Sequence, residues 1–305
     1  MKWYTGCCRS RSGCSMDSAG FINVLKPPGM SSHDVVQYIR RLTSTRRVGH
    51  GGTLDPLAAG VLPVAVGQAC RLLEYLEDDK EYRAELMLGY RYDTDDLDGR
   101  CIKETDASFV NESRLRECLQ GFVGEIWQVP PSASAIKVEG QRLYEALRQG
   151  RAVQPPARRV TLYSTKLLGF TPGRHPVARL HVHCSAGTYI RALCRDIGDR
   201  LGVGGVMSFL VRSRSGAFRI ERSVTLEGLA EQVRVIPPRE VLGHLPTHWV
   251  PRESVRAVRD GAYVADAGGM FEGAIVRLVS ERDELLAIGV VRNGRIGVKK
   301  LIQDR

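Results

Sequence analysis

The chain has 305 residues, 43% of them hydrophobic, with 44 lysines and arginines against 34 acids and a formal net charge of +10. That length holds one large domain plus a small one, and no apolar run reaches the roughly 18 residues of a helical membrane span. The positive balance suits an anionic partner, although a generic basic surface carries the same balance.

Residues 1–16 contain Lys2, Arg9 and Arg11, no acid, and Cys7, Cys8 and Cys14, without the apolar stretch of a signal peptide. They read as a disordered extension, or as sequence upstream of a start at Met16. The pair Cys7–Cys8 with a lone third cysteine does not match tetrahedral zinc spacing. Ser31-Ser32 can cap a helix whose Val35, Val36, Ile39 and Leu42 fall at helical spacing. Val61 to Val66 reads as a buried strand, Leu72 to Leu76 as a short helix, Tyr82 to Tyr90 as a strand and Arg91 to Asp98 as an acidic turn. Helices are expected over Ser113–Phe122, Arg142–Gln149, Thr188–Leu201 and Thr225–Val233, and strands over Val160–Gly169, Val177–Cys184 and Met207–Arg212. After the proline-marked stretch Ile236 to Pro246, the runs Ala274–Val279, Glu284–Val291 and Ile296–Leu301 suggest a small β-rich unit.

Strands and helices mix without a regular βαβ repeat, so the expected fold class is α+β, a mixed sheet with flanking helices. The expected division is 17–245 for the main domain, with an insertion at about 124–152, and 246–305 for the small one. The remaining cysteines (Cys70, Cys101, Cys118, Cys184, Cys194) are scattered and odd in number, which fits reduced cytoplasmic thiols better than a disulfide framework.

The stretch Gly49 to Gly60 (GHGGTLDPLAAG) places one acid, Asp55, in a glycine-rich neutral segment just after Arg46-Arg47. Glycines allow sharp turns and close approach, and Pro56 restricts the conformation of Asp55. A carboxylate on a stiff turn with a basic approach can meet an anionic substrate; an ordinary turn with a solvated Asp reads the same locally.

This segment resembles the catalytic motif of the bacterial tRNA pseudouridine synthase B family. Lys26-Pro27-Pro28-Gly29-Met30-Ser31-Ser32 is similar to the family's opening motif. Tyr82-Arg83-Ala84 with Leu88-Gly89, Cys184 to Arg191 (CSAGTYIR) and Leu210 to Gly216 resemble its later blocks, in family order. The resemblance implies a pseudouridine-synthase catalytic domain followed by a small RNA-binding domain of the PUA kind. It implies isomerisation of uridine 55 in the T loop of tRNA, with the uracil detached from C1′ and rejoined through C5. No cofactor and no metal is expected.

The resemblance assigns Asp55 as nucleophile or base, which requires the ionised carboxylate. Arg191 matches the residue beside it, whose guanidinium favours that charged form. Tyr82 matches the aromatic that stacks on the base and can serve proton transfer, while a core tyrosine is the plain alternative. Tyr189 and Leu210 match pocket-lining residues, where an ordinary core leucine looks the same, and Asp96 is expected to pair with Arg191, with one more solvated carboxylate in Asp93-Thr94-Asp95-Asp96 as the alternative. His50 matches the side chain that fills the space left by a flipped base, offsetting part of an unstacking cost of a few kcal/mol. Lys137 lies in Pro130 to Lys137, which resembles the family's RNA-gripping insertion. Arg142, Arg148, Arg151, Arg158 and Arg159 are candidate phosphate contacts nearby, where a solvated basic face is the alternative. Gly51 stands where the family usually has Thr, and Val211 where it often has Arg.

The expected partner is the tRNA T-arm, with no membrane, no obligatory protein partner, a monomeric state and a cytoplasmic location. Two other readings share these motifs: an RNA-guided relative, which the insertion argues against, and a tRNA-folding chaperone without catalysis. A nucleotide-binding enzyme is disfavoured, because the sequence has neither a Walker loop nor a Gly-x-Gly-x-x-Gly after a strand.

Overall fold

Buried and partly exposed side chains alternate along Lys80–Leu88, the pattern of a strand with one face in the core. That strand lies inside the main sheet of the computed structural model, which describes residues 19–131, 137–138, 141–142, 155–265 and 268–302. In chain order the first elements are β1 (Gly20–Lys26), α1 (Ser32–Thr43), β2 (Val48–His50), β3 (Ala59–Val66), a 3-10 helix (Gly67–Tyr75) and β4 (Lys80–Leu88). There follow the hairpin β5 (Tyr90–Tyr92) and β6 (Cys101–Glu104), α2 (Glu112–Gln120), β7 (Gly124–Gln128) and the short pair β8 (Lys137–Val138) and β9 (Gln141–Arg142). Then come β10 (Arg158–Thr171), β11 (Val177–Cys184), α3 (Ile190–Arg200), β12 (Gly205–Ser215), β13 (Phe218–Arg219) and α4 (Leu226–Glu231).

The main sheet runs β1-β3-β12-β4-β11-β10-β7, with β2 on β3 and β13 on β12. Only β3 and β12 pair in parallel within it, so the sheet is mixed and the fold is α+β. Gly60 makes that parallel join possible. Its φ is +111°, and a Cβ there would stand 2.2 Å from the Arg212 carbonyl oxygen. One core packs α2 and α3 against β4, β10, β11 and β12; a second packs α1 against β1 and β3 through Val35, Val36 and Ile39. Each of those three side chains contributes about 1.5–3 kcal/mol by leaving water.

A second sheet, in the order β14-β16-β17-β18-β15, is built from β14 (Thr247–Val250), β15 (Val264–Ala265), β16 (Ile275–Ser280), β17 (Leu285–Arg292) and β18 (Arg295–Leu301). It has its own core, and Ile288 also packs with Val241, Leu72 and Tyr75 of the first unit. Lys300 Nζ lies 3.0 Å from Glu74 of the 3-10 helix, which ties the two sheets together again.

Several element boundaries differ from the expectations. The short helix spans Gly67–Tyr75 and is 3-10 throughout. The Tyr82–Tyr90 strand starts earlier and stops at Leu88, because Gly89 takes φ +91° and Tyr90 pairs with β6 instead. Part of the expected acidic turn therefore belongs to a hairpin. The strand around Met207–Arg212 extends from Gly205 to Ser215, with irregularities at Met207/Phe209 and Arg212/Arg214 that break the alternation. The helix expected over Arg142–Gln149 and the extension 1–16 lie outside the described residues.

Candidate active site

Asp55 sits on the loop between β2 and β3, and three separate anchors hold that loop. Ser31 caps α1 through a capping box with Asp34, which places Ser32 in the first turn, buried. The Ser32 hydroxyl accepts from the Leu54 N–H at 2.8 Å and lies 3.0 Å from the Leu54 carbonyl oxygen as donor. Lys26, at the end of β1 and fully buried, donates to the carbonyls of Pro27, Met30 and Pro56. The Gly29 N–H also donates to Pro56 O at 2.8 Å, so the Lys-Pro-Pro-Gly turn and the Asp-Pro turn form one unit. Burial lowers the Lys26 pKa to about 8, against the opposing pull of Asp55 and Asp34.

The third anchor is Arg212, buried in β12. Its guanidinium donates to Val61 O (2.8 Å), Gly52 O (3.0 Å) and Thr53 O (3.3 Å). Three carbonyls in the loop that presents Asp55 and in the strand after it are thereby tied to one side chain.

Arg191 lies in the first turn of α3 and reaches Asp55 from the opposite wall. Its Nε is 3.0 Å from Asp55 Oδ2, and its Nη2 donates to Oδ1 at 3.2 Å. Nη1 is 3.1 Å from Asp96 Oδ2 and donates to Thr94 O at 3.0 Å. Asp96 is itself held by the Thr94 hydroxyl (2.7 Å) and the Asp98 N–H (3.2 Å). One turn further along α3, Arg195 bonds Asp95 at 2.7 Å and donates to Val129 O at 2.8 Å. Burial pushes the Asp95 carboxyl up to about 6, with Arg195 pulling the other way. The turn at 93–98 is thus clamped twice to one face of α3. Asp55 remains 36% exposed while Arg191 is 4% exposed, so the carboxylate faces the cleft and the guanidinium stands behind it.

The cleft has a volume of about 560 Å³ and is lined by His50, Asp55, Tyr82, Tyr189, Arg191 and Leu210 among others. Six of the eight residues singled out in the sequence therefore converge on one cavity. Asp96 stands behind Arg191 rather than on the lining. Lys137 falls on β8, but its side chain lies outside the described residues, as do Arg142, Arg148 and Arg151. Tyr82 is largely buried, which pushes its phenol pKa up, with Arg212 opposing. Burial also lowers the His50 pKa, and Arg212 adds to the effect. Tyr189 is fixed through its backbone: its N–H donates to Gln128 Oε1 (2.8 Å) and its carbonyl accepts from Gln128 Nε2 (3.1 Å). The Arg158 guanidinium lies 5.6 Å from the Tyr189 ring centroid, and Arg159 pairs with Glu125 at 3.2 Å.

Sequence reading missed Lys26, Lys80, Gln128 and Arg212 as site residues. A buried lysine or arginine on a strand looks like any half-exposed strand residue until its partners are known. The one available signal was position, since Lys26 opens a quoted motif and Arg212 lies inside another.

Chemically, the arrangement offers an exposed carboxylate beside a buried guanidinium, a buried phenol, and walls that are partly apolar and partly basic. A flat ring can sit against Tyr82 and Leu210 while a group attached to it meets Asp55. Glu74, Glu77 and Asp78 line one side of the same cleft.

The sequence matches the family description "TruB family pseudouridylate synthase (N terminal domain)" over residues 40–190 and "tRNA pseudouridylate synthase B C-terminal domain" over 191–242. It is 48% identical over 285 residues to the tRNA pseudouridine synthase B of Moorella thermoacetica, covering 89% of this chain and 93% of that protein. It is also 48% identical over 234 residues to the protein of that name from Synechocystis, covering 75% and 79%. Among solved structures, an H/ACA RNP bound to a substrate RNA containing 2′-deoxyuridine matches with TM-score 0.72 and 30% identity over 93% of this chain and 85% of that one. A Cbf5-Nop10-Gar1 complex matches with TM-score 0.70 and 31% identity, covering 92% and 84%.

Proposed function

The chain belongs to the TruB family of pseudouridylate synthases, and from that premise we propose that it isomerises uridine 55 of the tRNA T loop with Asp55 as its catalytic carboxylate. It is a tRNA pseudouridine synthase, an isomerase acting on RNA. The observation that carries the residue assignment is the ion pair of Asp55 with Arg191, itself held by Asp96. It puts an exposed carboxylate, backed by a buried cation, at the floor of a cleft large enough for a nucleotide.

The reaction breaks the N1–C1′ bond, rotates the uracil, forms the C5–C1′ bond and moves the C5 proton away while N1 gains one. Atoms balance within the nucleotide, and no net oxidation occurs. Asp55 acts at the sugar, either attacking C1′ or taking a ribose proton; both roles need the ionised carboxylate that Arg191 faces. Tyr82 packs against the uracil, and its hydroxyl is the group placed to take part in moving the C5 proton. Leu210 and Tyr189 complete the walls around the base. His50, on the cleft lining, occupies the gap left in the loop by the flipped nucleotide.

Uridine in a structured T loop is reachable only when splayed out, which suits a recessed carboxylate. Arg158, beside the Tyr189 ring, and the basic insertion whose sequence includes Lys137 hold backbone phosphates, and the β14–β18 unit is a second RNA-contacting element of the PUA kind. The enzyme works as a monomer on free T-arm RNA in the cytoplasm, without a guide RNA or obligatory protein partner. The insertion following β7 favours this over the guided reading suggested by the H/ACA likeness.

The test is conversion of an unmodified T-arm hairpin by wild type and Asp55→Asn, with no cofactor or guide added. Wild type alone should form pseudouridine, while Asp55→Asn binds the hairpin within about threefold of wild type, because phosphate contacts dominate affinity. Equal losses of binding and turnover would sink the assignment of Asp55 to chemistry.

A further inference from the structure

Two buried cations meet the cleft, and neither belongs to an ion pair among the described residues. Arg212 is 1% exposed, and its three donations go to uncharged carbonyls. Lys80, the first residue of β4, is 9% exposed, and its single described hydrogen bond is a long one, 3.4 Å to Glu77 O. The acids next to it are occupied or distant: Asp79 bonds Arg214 and His183, and Asp78 lies beyond ion-pair range. Burial lowers the Lys80 pKa and Arg212 lowers it further, while Asp78 and Asp79 pull it the other way. Withdrawing two charges from water without an acid to pair them is unfavourable, and a fold tolerates it where a ligand brings the missing charge.

Gly52 keeps the way open. Its φ is +117°, and a Cβ there would come within 3.6 Å of Arg212 Nη1 and 4.0 Å of Lys80 Cε. The side-chain space at position 52 is thus the space beside both cations, and Gly52, Lys80 and Arg212 all line the cleft that holds Asp55. The natural occupant is an anion belonging to the substrate. A uracil carbonyl is neutral and would leave both charges uncompensated, whereas the sugar-phosphate chain carries a full negative charge on each side of the target nucleotide.

We propose that Lys80, backed by Arg212, seats a backbone phosphate adjoining the uridine that enters the cleft. This rests on reading the cleft as the uridine site. The seat makes the enzyme select a nucleotide within a chain over a free nucleoside, and it fixes the sugar relative to Asp55 through its phosphate. Lys80 contacts the phosphate; Arg212, held by its carbonyls, adds charge from behind.

The experiment uses T-arm hairpins carrying one neutral methylphosphonate, placed 5′ or 3′ of the target uridine or, as a control, in the T stem. Each is titrated into wild type and Lys80→Met, with Kd and its salt dependence measured. For one flanking position, the modification should weaken wild-type binding about tenfold, as expected for a lost charge-assisted contact. Lys80→Met should weaken the unmodified hairpin similarly, lose nothing further on that modified hairpin, and lower the salt slope by about 1. The T-stem modification should weaken both proteins alike. Losses that multiply at both flanking positions would overturn the proposal. If Lys80→Met does not fold, wild type alone decides, since equal affinity for the unmodified and both flanking hairpins refutes it. Pseudouridine formation by wild type on the unmodified hairpin is scored separately, so the seat can fail while the enzymatic reading stands.

Discussion

Lys26 links the pH dependence of stability to the loop that presents Asp55. Its ammonium is fully buried among the carbonyls of Pro27, Met30 and Pro56, and burial lowers its pKa from 10.5 to about 8. At about 1.4 kcal/mol per unit, that gap corresponds to about 3 kcal/mol of difference between the protonation states. The sign follows from proton counting. Between pH 8 and 10.5 the unfolded chain keeps the proton that the folded chain has lost, so stability rises with pH in that window. The contribution is complete above 10.5 and absent below 8. Replacing the side chain in Lys26→Met removes this slope, and the acids it faces, Asp34 and Asp55, are carboxylates, whose ordinary range lies well below the window. Urea unfolding of both proteins from pH 7 to 9.5 therefore gives a difference, wild type minus Lys26→Met, that is flat up to about pH 7.5. It then climbs by about 1 kcal/mol between pH 8 and 9. A difference that stays flat to pH 9.5 would refute the reasoning, because it would mean that the buried ammonium titrates in its ordinary range.

Asp96→Asn keeps the shape but removes the charge that holds Arg191. Turnover should fall about a hundredfold with Kd for the hairpin nearly unchanged, measured by single-turnover pseudouridine formation beside filter binding; an unchanged rate would mean that Arg191 is held well enough by Thr94 and Asp55. Gln128→Ala leaves the Tyr189 N–H without its partner, while the Tyr189 carbonyl keeps the Leu193 N–H at 3.0 Å, so thermal or urea unfolding should show a loss of about 1–3 kcal/mol; a loss under 0.5 kcal/mol would mean that water replaces the amide. Of the five described cysteines, exposed Cys101 should alkylate first at pH 8. Buried Cys184, whose thiol pKa is pushed up to about 12, and Cys194 should stay unmodified until unfolding, as read by peptide mass mapping.

The motif carrying Asp55, the block carrying Arg191 and the α+β class were legible in the sequence because each depends on local residue types. The pairing of Asp96 with Arg191 was legible through the family resemblance alone, since no spacing in one sequence brings residues 96 and 191 together. The anchors behind the site were not. Gln128 ends an unremarkable strand, and its contact with Tyr189 spans 61 positions. The full length of β12 was hidden because two irregularities put Phe209 on the exposed side and Arg212 on the buried side, against what a clean alternation suggests. β1 was not anticipated either. Six of its seven residues are buried, the polar Asn23 and Lys26 among them, so neither an alternation nor an unbroken apolar run marks it in the sequence.

The Asp55 loop and its bracket Arg212 are about 160 positions apart in the chain. Contacts of such separation close late, because the loop-closure entropy must be met before the pairing rewards it. During synthesis, β3 emerges and pairs with β1 while β12 is still unmade, so the carboxylate exists for about half of elongation without Arg191 or Arg212. Any product ending before Val211 carries the catalytic motif without the parallel join that shapes it. Assembly of the site thus waits on one step, when β12 slots between β3 and β4.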